Sequence, residues 1–205
     1  MEDFCAIISG GAFSPLENIE KAAFVIACDQ GLAYAQRCKV KPDLLVGDFD
    51  SYQGKIPDGV PRLELPAEKD DTDTMAAVRC AVDEGWKRIA LYCAFGGRLD
   101  HLLGNLQAAA FAVKNGAAVE IIDEDNRAQL FSNASVVIPE RPGYSLTLLA
   151  LSDTCRNVTA EGVKYPLAGA TLTNAFPIGV SNEWRGDARV SVGEGVLMVL
   201  LSKMK

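Results

Sequence analysis

Carboxylates gather in short motifs along the first half of this 205-residue chain: Asp29, then Gly47-Asp48-Phe49-Asp50-Ser51, then Lys69-Asp70-Asp71-Thr72-Asp73, then Gly97-Arg98-Leu99-Asp100-His101. Carboxylates that converge on one edge repel one another unless a cation stands among them. Hard oxygen donors of this kind favour magnesium over zinc, and magnesium between aspartates is suited to holding a polyphosphate. Gly96-Gly97 lets the backbone approach a ligand closely, and Arg98 adds a planar cation that matches phosphate oxygens. Lys69, beside Asp70, offers a second positive charge. Ser9-Gly10-Gly11-Ala12 is a weaker signal of the same kind. The GxxxxGK[ST] loop is absent, which excludes a P-loop enzyme.

Each of these residues also has a purely structural reading. Asp73 and Asp100 stand near helix starts, where a carboxylate caps backbone N–H groups and complements the helix dipole. Asp48 and Asp50 suit a turn, and Lys69 suits a solvated loop. His101, the sole histidine, invites a general-base role but also fits a polar neighbour at a helix start, so it is a secondary site residue. The functional reading rests on the combination of the carboxylates.

The elements that must position them follow from hydrophobic periodicity. Strands are expected at Cys5-Ala6-Ile7-Ile8, Phe24-Val25-Ile26-Ala27, Asp43-Leu44-Leu45-Val46, Ile89-Ala90-Leu91-Tyr92 and Val119-Glu120-Ile121-Ile122, with helices between them. One helix begins near Thr72, carries Met75, Val78 and Val82 on one face and stops at Gly85. Another begins near Asp100 with Leu102, Leu103, Leu106 and Val113, and stops at Gly116. Strand-helix alternation predicts a parallel α/β sheet, and in open sheets of that kind ligands bind beyond the carboxyl ends of the strands. Asp29, Asp48, Asp50 and Asp100 all follow such strands.

After about residue 125 the pattern changes to short strands: Ala128-Gln129-Leu130-Phe131, Ser135-Val136-Val137-Ile138, Ser145-Leu146-Thr147-Leu148-Leu149, Arg189-Val190-Ser191-Val192 and Val196-Leu197-Met198-Val199-Leu200. Gly and Pro punctuate them, which predicts an antiparallel β-sandwich. The domains are expected at 1–125 and 126–205, an N-terminal Rossmann-like parallel α/β domain followed by the β-sandwich.

Composition bounds the partners. Asp and Glu outnumber Lys and Arg by 27 to 20, for a formal net charge of -7. No basic patch is readable, which argues against nucleic acid or an anionic membrane. No signal peptide and no apolar run near the roughly 18 residues of a membrane span are visible, so a soluble, cytoplasmic protein is expected. The six cysteines form no CxxC pair and read as buried free thiols rather than a disulfide framework or zinc site.

Pro42-Asp43-Leu44-Leu45-Val46-Gly47-Asp48-Phe49-Asp50-Ser51, Lys69-Asp70-Asp71-Thr72-Asp73 and Gly96-Gly97-Arg98-Leu99-Asp100-His101 together resemble the motifs of the thiamine pyrophosphokinase family. Gly162-Val163-Lys164-Tyr165-Pro166-Leu167 and Gly179-Val180-Ser181-Asn182-Glu183-Trp184 resemble its C-terminal signatures, so the likeness runs in order over nearly the whole chain. The resemblance implies transfer of the pyrophosphoryl group of ATP to the hydroxyl of thiamine, giving thiamine diphosphate and AMP, with Mg2+ as cofactor. It also implies a homodimer with the active site between subunits. Carried over to this chain, it implies metal ligands at Asp48, Asp50, Asp73 and Asp100, and catalytic roles for Asp73, Asp100 and Arg98. ATP contacts are implied at Asp29, Gln30, Ser51, Lys69, Thr72, Gly97, Arg98 and His101, and thiamine contacts at Ser181, Asn182 and Trp184. Trp184 offers an aromatic face to a cationic heterocycle and equally suits the core of the β domain. The chain departs from the family where Asp29 is followed by Gln30 in place of small residues. A magnesium-dependent phosphohydrolase acting on a nucleotide, and a non-catalytic thiamine or nucleotide sensor, are the rival readings.

Overall fold

Short apolar runs in the first half of the chain become neighbouring parallel strands in the computed structural model, which describes residues 3–49, 52, 54–64 and 71–204. The chain divides into two compact units, 1–124 and 125–205. The first holds β1 (Cys5–Ile8), β2 (Phe24–Cys28), β3 (Leu44–Gly47), β4 (Arg62–Glu64), β5 (Arg88–Tyr92) and β6 (Ala118–Ile122). Their order is β6-β5-β1-β2-β3-β4, and every neighbouring pair is parallel. β1 sits in the middle, with Cys5 opposite both Phe24 and Ile89. It is buried along its whole length, which is why its residues are continuously apolar rather than alternating.

Three helices join these strands: α1 (Gly31–Arg37), α2 (Asp73–Asp83) and α3 (Leu99–Lys114). Gly85 and Gly116 follow α2 and α3 at φ 84° and 86°. Their N–H groups reach back to Val82 and Val113, while Trp86 and Ala117 reach Ala81 and Ala112, the paired bonds of a glycine-closed helix end. The helices bury different faces from those expected. α2 buries Thr74, Ala76, Ala77, Val78 and Ala81, leaving Met75 and Val82 half-buried. α3 buries Asn105, Ala108, Ala109, Ala110, Ala112 and Val113, while Leu102 and Leu106 are half-buried and Leu103 is exposed. The two helices pack on each other, and α2 also lies against β1, β2 and β3. Close approach of that kind selects alanine-sized side chains over larger ones.

The second unit holds β7 (Asn126–Phe131), β8 (Ala134–Ile138), β9 (Tyr144–Ala150), β10 (Thr154–Val163), β11 (Leu167–Thr173), β12 (Gly179–Asn182), β13 (Trp184–Val192) and β14 (Leu197–Lys203). One antiparallel array runs β12-β9-β14-β7 and the other β11-β10-β13-β8. Leu146, Leu148, Leu197 and Val199 of the first array share a core with Val158, Ala160, Ala188 and Val190 of the second. Strands β4, β10, β11 and β12 were not among those expected. β10 loses its period-two alternation at register shifts between Cys155 and Val158 and between Val158 and Ala160, where Asn157 stands at φ 55°. No helix among the described residues is long and apolar enough to cross a membrane.

Helix α1 starts where the chain passes closest to β1. A Cβ on Gly31 would stand 2.0 Å from the Ile8 carbonyl oxygen, a backbone atom that has no side-chain freedom with which to yield. Gly31→Ala is therefore expected to destabilise the protein by about 2–3 kcal/mol, read as a lower urea midpoint at unchanged slope. An unchanged midpoint would contradict this packing.

Candidate active site

Parallel strands end together, so the turns after β1, β2, β3 and β5 leave from one rim of the first unit. The chain builds outward from β1 to β4 and then returns to place β5 on the other side of β1. That reversal is the topological switch point at which α/β sheets bind ligands. The turn after β1 is bound to the turn after β5 by backbone hydrogen bonds, Ser9 N–H to Tyr92 O and Gly11 N–H to Cys93 O, each 2.9 Å. A Cβ on Gly11 would lie 2.5 Å from Cys93 O, and one on Gly96 would lie 2.9 Å from Ala12 Cβ. Gly96 and Gly97 both take positive φ, 72° and 73°. The buried Asn105 amide of α3 donates to Ala94 O at 2.9 Å and holds the same turn from below. The glycine turns at 9–12 and 96–98 are thus one continuous feature.

Asp29 and Asp73 meet across Gly47, the last residue of β3. A Cβ on Gly47 would lie 3.4 Å from Asp29 Cβ and 3.5 Å from Asp73 Cγ, and its φ of 143° is one that side chains rarely adopt. Asp73 is the first residue of α2, and the cap that precedes it is Thr72, whose Oγ1 accepts the Met75 N–H at 3.1 Å. The capping role open to Asp73 therefore falls to Thr72, and Asp73 is left at the helix N-terminus, where a negative charge is stabilised. The Asp73 carbonyl accepts the Cys28 thiol at 3.7 Å. Phe49, at φ 56°, drives its ring into a small core with Ala27, Leu32, Leu45 and Val60, while Asp48 beside it is exposed. Gln30 is exposed and its Cβ lies 3.4 Å from where a Gly10 Cβ would stand. Asp50, Ser51 and Lys69 lie outside the described residues.

Asp100 is engaged by its neighbours Arg98 and His101. Arg98 Nε and Nη2 donate to its two oxygens at 3.1 and 2.6 Å, and the His101 N–H donates to Oδ1 at 2.9 Å. That fork holds the Asp100 carboxyl below its ordinary range and raises Arg98 in turn. Both side chains are largely exposed, so the attraction is screened by solvent. Among the described residues no three Asp, Glu, His or Cys side chains stand close enough to hold a metal ion. The donor chemistry of Asp29, Asp48 and Asp73 suits magnesium, but Asp100 would first have to leave Arg98. Burial pushes the thiols of Cys5, Cys93 and Cys155 up, Cys5 to about 12, which makes them poor nucleophiles. All six cysteines are free thiols.

In the second unit the expected thiamine residues divide by role. Asn182 is buried, and its amide mimics a strand: Oδ1 accepts from Tyr165 N at 3.0 Å, and Nδ2 donates to Tyr165 O at 2.8 Å. Trp184 packs on the core, its Nε1 donating to Tyr144 O at 2.6 Å. Of its two readings, the structure favours the core. Ser181 is exposed at φ 58°, with its N–H donated to Thr147 Oγ1 at 3.0 Å. Sequence reasoning passed over Tyr165, which is 60 % exposed and held in place by Asn182. Lys164 Nζ lies 5.3 Å from its ring centroid and pairs with Glu183 at 2.6 Å. The readable signal was an aromatic inside a motif that already resembled a family signature.

Acidic and glycine-lined turns at the switch-point rim of a parallel sheet define the class: an α/β ligand-binding unit followed in the chain by a second, all-β unit. Residues 16–121 match the thiamin pyrophosphokinase catalytic domain, and residues 135–197 match the thiamin pyrophosphokinase vitamin B1 binding domain. The chain belongs to the thiamin pyrophosphokinase family. It is 28% identical to the thiamine pyrophosphokinase of Bacillus subtilis over 96% of its own length and 97% of that protein. A crystal structure of thiamine pyrophosphokinase from Bacillus subtilis superposes with a TM-score of 0.87 at 26% identity, covering 98% of this chain and 99% of that one. The Geobacillus thermodenitrificans structure gives a TM-score of 0.80 at 26% identity over 98% and 97%. The yeast thiamin pyrophosphokinase structure, at 11% identity and a TM-score of 0.73 over 98% and 86%, shows the shared fold. Membership carries the reaction with it: pyrophosphoryl transfer from ATP to thiamine, which yields thiamine diphosphate.

The Arg98 fork has a signed consequence. Arg98 favours the charged form of Asp100, so Arg98→Gln is expected to raise the Asp100 titration midpoint back toward the ordinary carboxylate value. Any contribution of the pair to stability is present above that value and lost as the pH falls through the depressed one. NMR titration of the Asp100 carboxyl carbon checks this; a midpoint unmoved by the substitution would contradict the pairing.

Proposed function

We propose that the first unit, read as a Rossmann-like fold, binds ATP at its switch-point rim, and that the second, read as a β-sandwich, binds the thiamine acceptor. The observation that carries this reading is the meeting of Asp29 and Asp73 across Gly47, beside the paired glycine turns. The triphosphate lies against Ser9–Ala12 and Gly96–Arg98, within reach of Gln30, Thr72 and His101, and Ser51 and Lys69 complete the contacts. Asp48, Asp50, Asp73 and Asp100 are the residues that would hold magnesium, which when bound neutralises the triphosphate and fixes its orientation. For Asp100 to serve, Arg98 must exchange its carboxylate partner for a phosphate, which releases both groups at once.

The thiamine hydroxyl then attacks the β-phosphorus in line and AMP departs. Arg98 stabilises charge on the transferring group. Because phosphoryl-type transfer depends mainly on positioning and electrostatics, a strong base is not required, and Asp73 or Asp100 accepts the proton. Tyr165 presents an exposed ring to the cationic heterocycle, with Ser181, Asn182 and Trp184 shaping the surface around it. A homodimer is supported by exposed Phe176, Ile178 and Val180 leading into and along the outer strand β12, since an apolar edge of this kind is normally covered. The free cysteines are in keeping with a cytoplasmic location.

Asp73→Asn and Asp100→Asn are each expected to reduce thiamine-dependent AMP release by about 100-fold or more in saturating magnesium, with thiamine diphosphate detected by mass as the product. Wild-type rates in both would sink the role given to the carboxylates. AMP release that ignored thiamine would favour a hydrolase. Tyr165→Ala is expected to raise the KM for thiamine roughly 3- to 30-fold, the loss of one cation–π contact. An unchanged KM would remove Tyr165 from the acceptor site.

A further inference from the structure

Asp73 can serve the transfer only if it stands at one place on the rim, so the contacts that hold the first turn of α2 there matter. Cys28 offers a long thiol hydrogen bond to the Asp73 carbonyl, 3.7 Å, and an S–H is a weak donor. Gly47 provides a wall without a bond. A buried hydroxyl pair adds a directional bond: Thr74 Oγ1 donates to Ser9 Oγ at 3.1 Å, between residues 65 apart in the chain. Both side chains are buried, Ser9 to 1 % and Thr74 to 7 % exposure. Valine at position 74 would match the shape of threonine but would leave the buried Ser9 hydroxyl without this partner. Ser9 is itself fixed, since its N–H is donated to Tyr92 O.

We propose that Ser9 and Thr74 are positioning residues for the transfer, a buried hydroxyl pair that locks the start of α2 onto the end of β1 and so sets where Asp73 stands. The pair acts through its neighbour: Thr74 follows Asp73 on the first turn, and Ser9 opens the glycine turn that faces the phosphates. A helix start tethered at this point cannot pivot about its cap. Without the bond, the carboxylate shifts by a fraction of its reach, and misplacement by about 1 Å costs on the order of 100-fold in rate. The inference rests on the assignment of Asp73 to the reaction.

The test uses Ser9→Ala, Thr74→Val, Thr74→Ser and the double substitution Ser9→Ala/Thr74→Val in the full chain, with Asp73→Asn as reference. Thr74→Val and Ser9→Ala are each expected to lower kcat about tenfold while KM for thiamine stays close to wild type and the thermal midpoint falls by only several degrees, the cost of one unpaired buried hydroxyl. Thr74→Ser, which keeps the hydroxyl, restores kcat to within about twofold, and the double variant is no slower than the worse single one, as expected for two halves of one interaction. Wild-type kcat in Ser9→Ala and Thr74→Val beside an inactive Asp73→Asn overturns the proposal and leaves the Asp73 assignment standing. An active Asp73→Asn overturns both. If Thr74→Val fails to fold, Ser9→Ala alone decides between them, because it removes the same bond from the loop side.

Discussion

Two backbone hydrogen bonds, Ser9 N–H to Tyr92 O and Gly11 N–H to Cys93 O, carry the chain beyond the end of β1 and onto the turn that follows β5. They exist because the strand order reverses at this point, placing β5 beside β1 rather than beside β4. At any other position in the sheet the turn after a strand has a neighbour that came just before it or just after it in the chain. Here the two turns come from distant sequence and must share one gap, which excludes side chains from Gly11 and presses Gly96 against Ala12. Glycine in both turns is therefore a packing requirement first. The backbone N–H groups it leaves accessible are what an anion needs.

Strain is concentrated at the same rim. Asp29, Phe49 and Cys93 follow β2, β3 and β5, and each takes a positive φ, 37°, 56° and 53°. Aspartate tolerates that region; phenylalanine and cysteine do not, and each costs about 1–3 kcal/mol there. What offsets the cost is visible at each position: the Phe49 ring is buried among Leu32, Leu45 and Val60, and the Cys93 thiol donates to Ser14 O at 3.6 Å from within the core. A sharp turn directly after the strand keeps Asp29 and Asp48 close to the sheet edge instead of carrying them into a loop. Local strain and the nearness of Asp29 to Asp73 across Gly47 are two aspects of one design.

The strands of the first unit other than β4 were legible because burial on both faces leaves a continuous apolar run, as in Cys5-Ala6-Ile7-Ile8; β4 is exposed along its length and carries no such run. The helix starts and stops were legible from Thr72, Gly85 and Gly116, whose backbone chemistry is local. The buried faces were not. Leu103 and Met75 outrank alanine in any hydrophobic count, yet α2 and α3 approach the sheet and each other too closely for them, and that distance is a tertiary property. β10 was hidden for a related reason: its register shifts move Cys155, Val158 and Ala160 out of simple alternation. For the site, the strand pattern could place Asp29, Asp48 and Asp100 after strands at one edge, but could not reveal that Arg98 would claim Asp100.

Arg98 and Asp100 are two residues apart, and an exposed arginine fork closes on the nearest carboxylate when nothing more strongly charged is present. In the proposed reading a triphosphate, which carries far more negative charge than one carboxylate, would draw Arg98 away and return the Asp100 oxygens to a cation. The pair is exposed and screened by solvent, which would make such an exchange inexpensive. The second unit solves the opposite problem. Asn182 is buried and binds both backbone groups of Tyr165, so the exposed ring is presented by a rigid support, with Lys164 Nζ 5.3 Å from its centroid. The ion pair in the first unit is exposed, whereas the amide clamp in the second is buried; under the proposed function the first suits an exchangeable polyanion and the second a ring held in a fixed orientation.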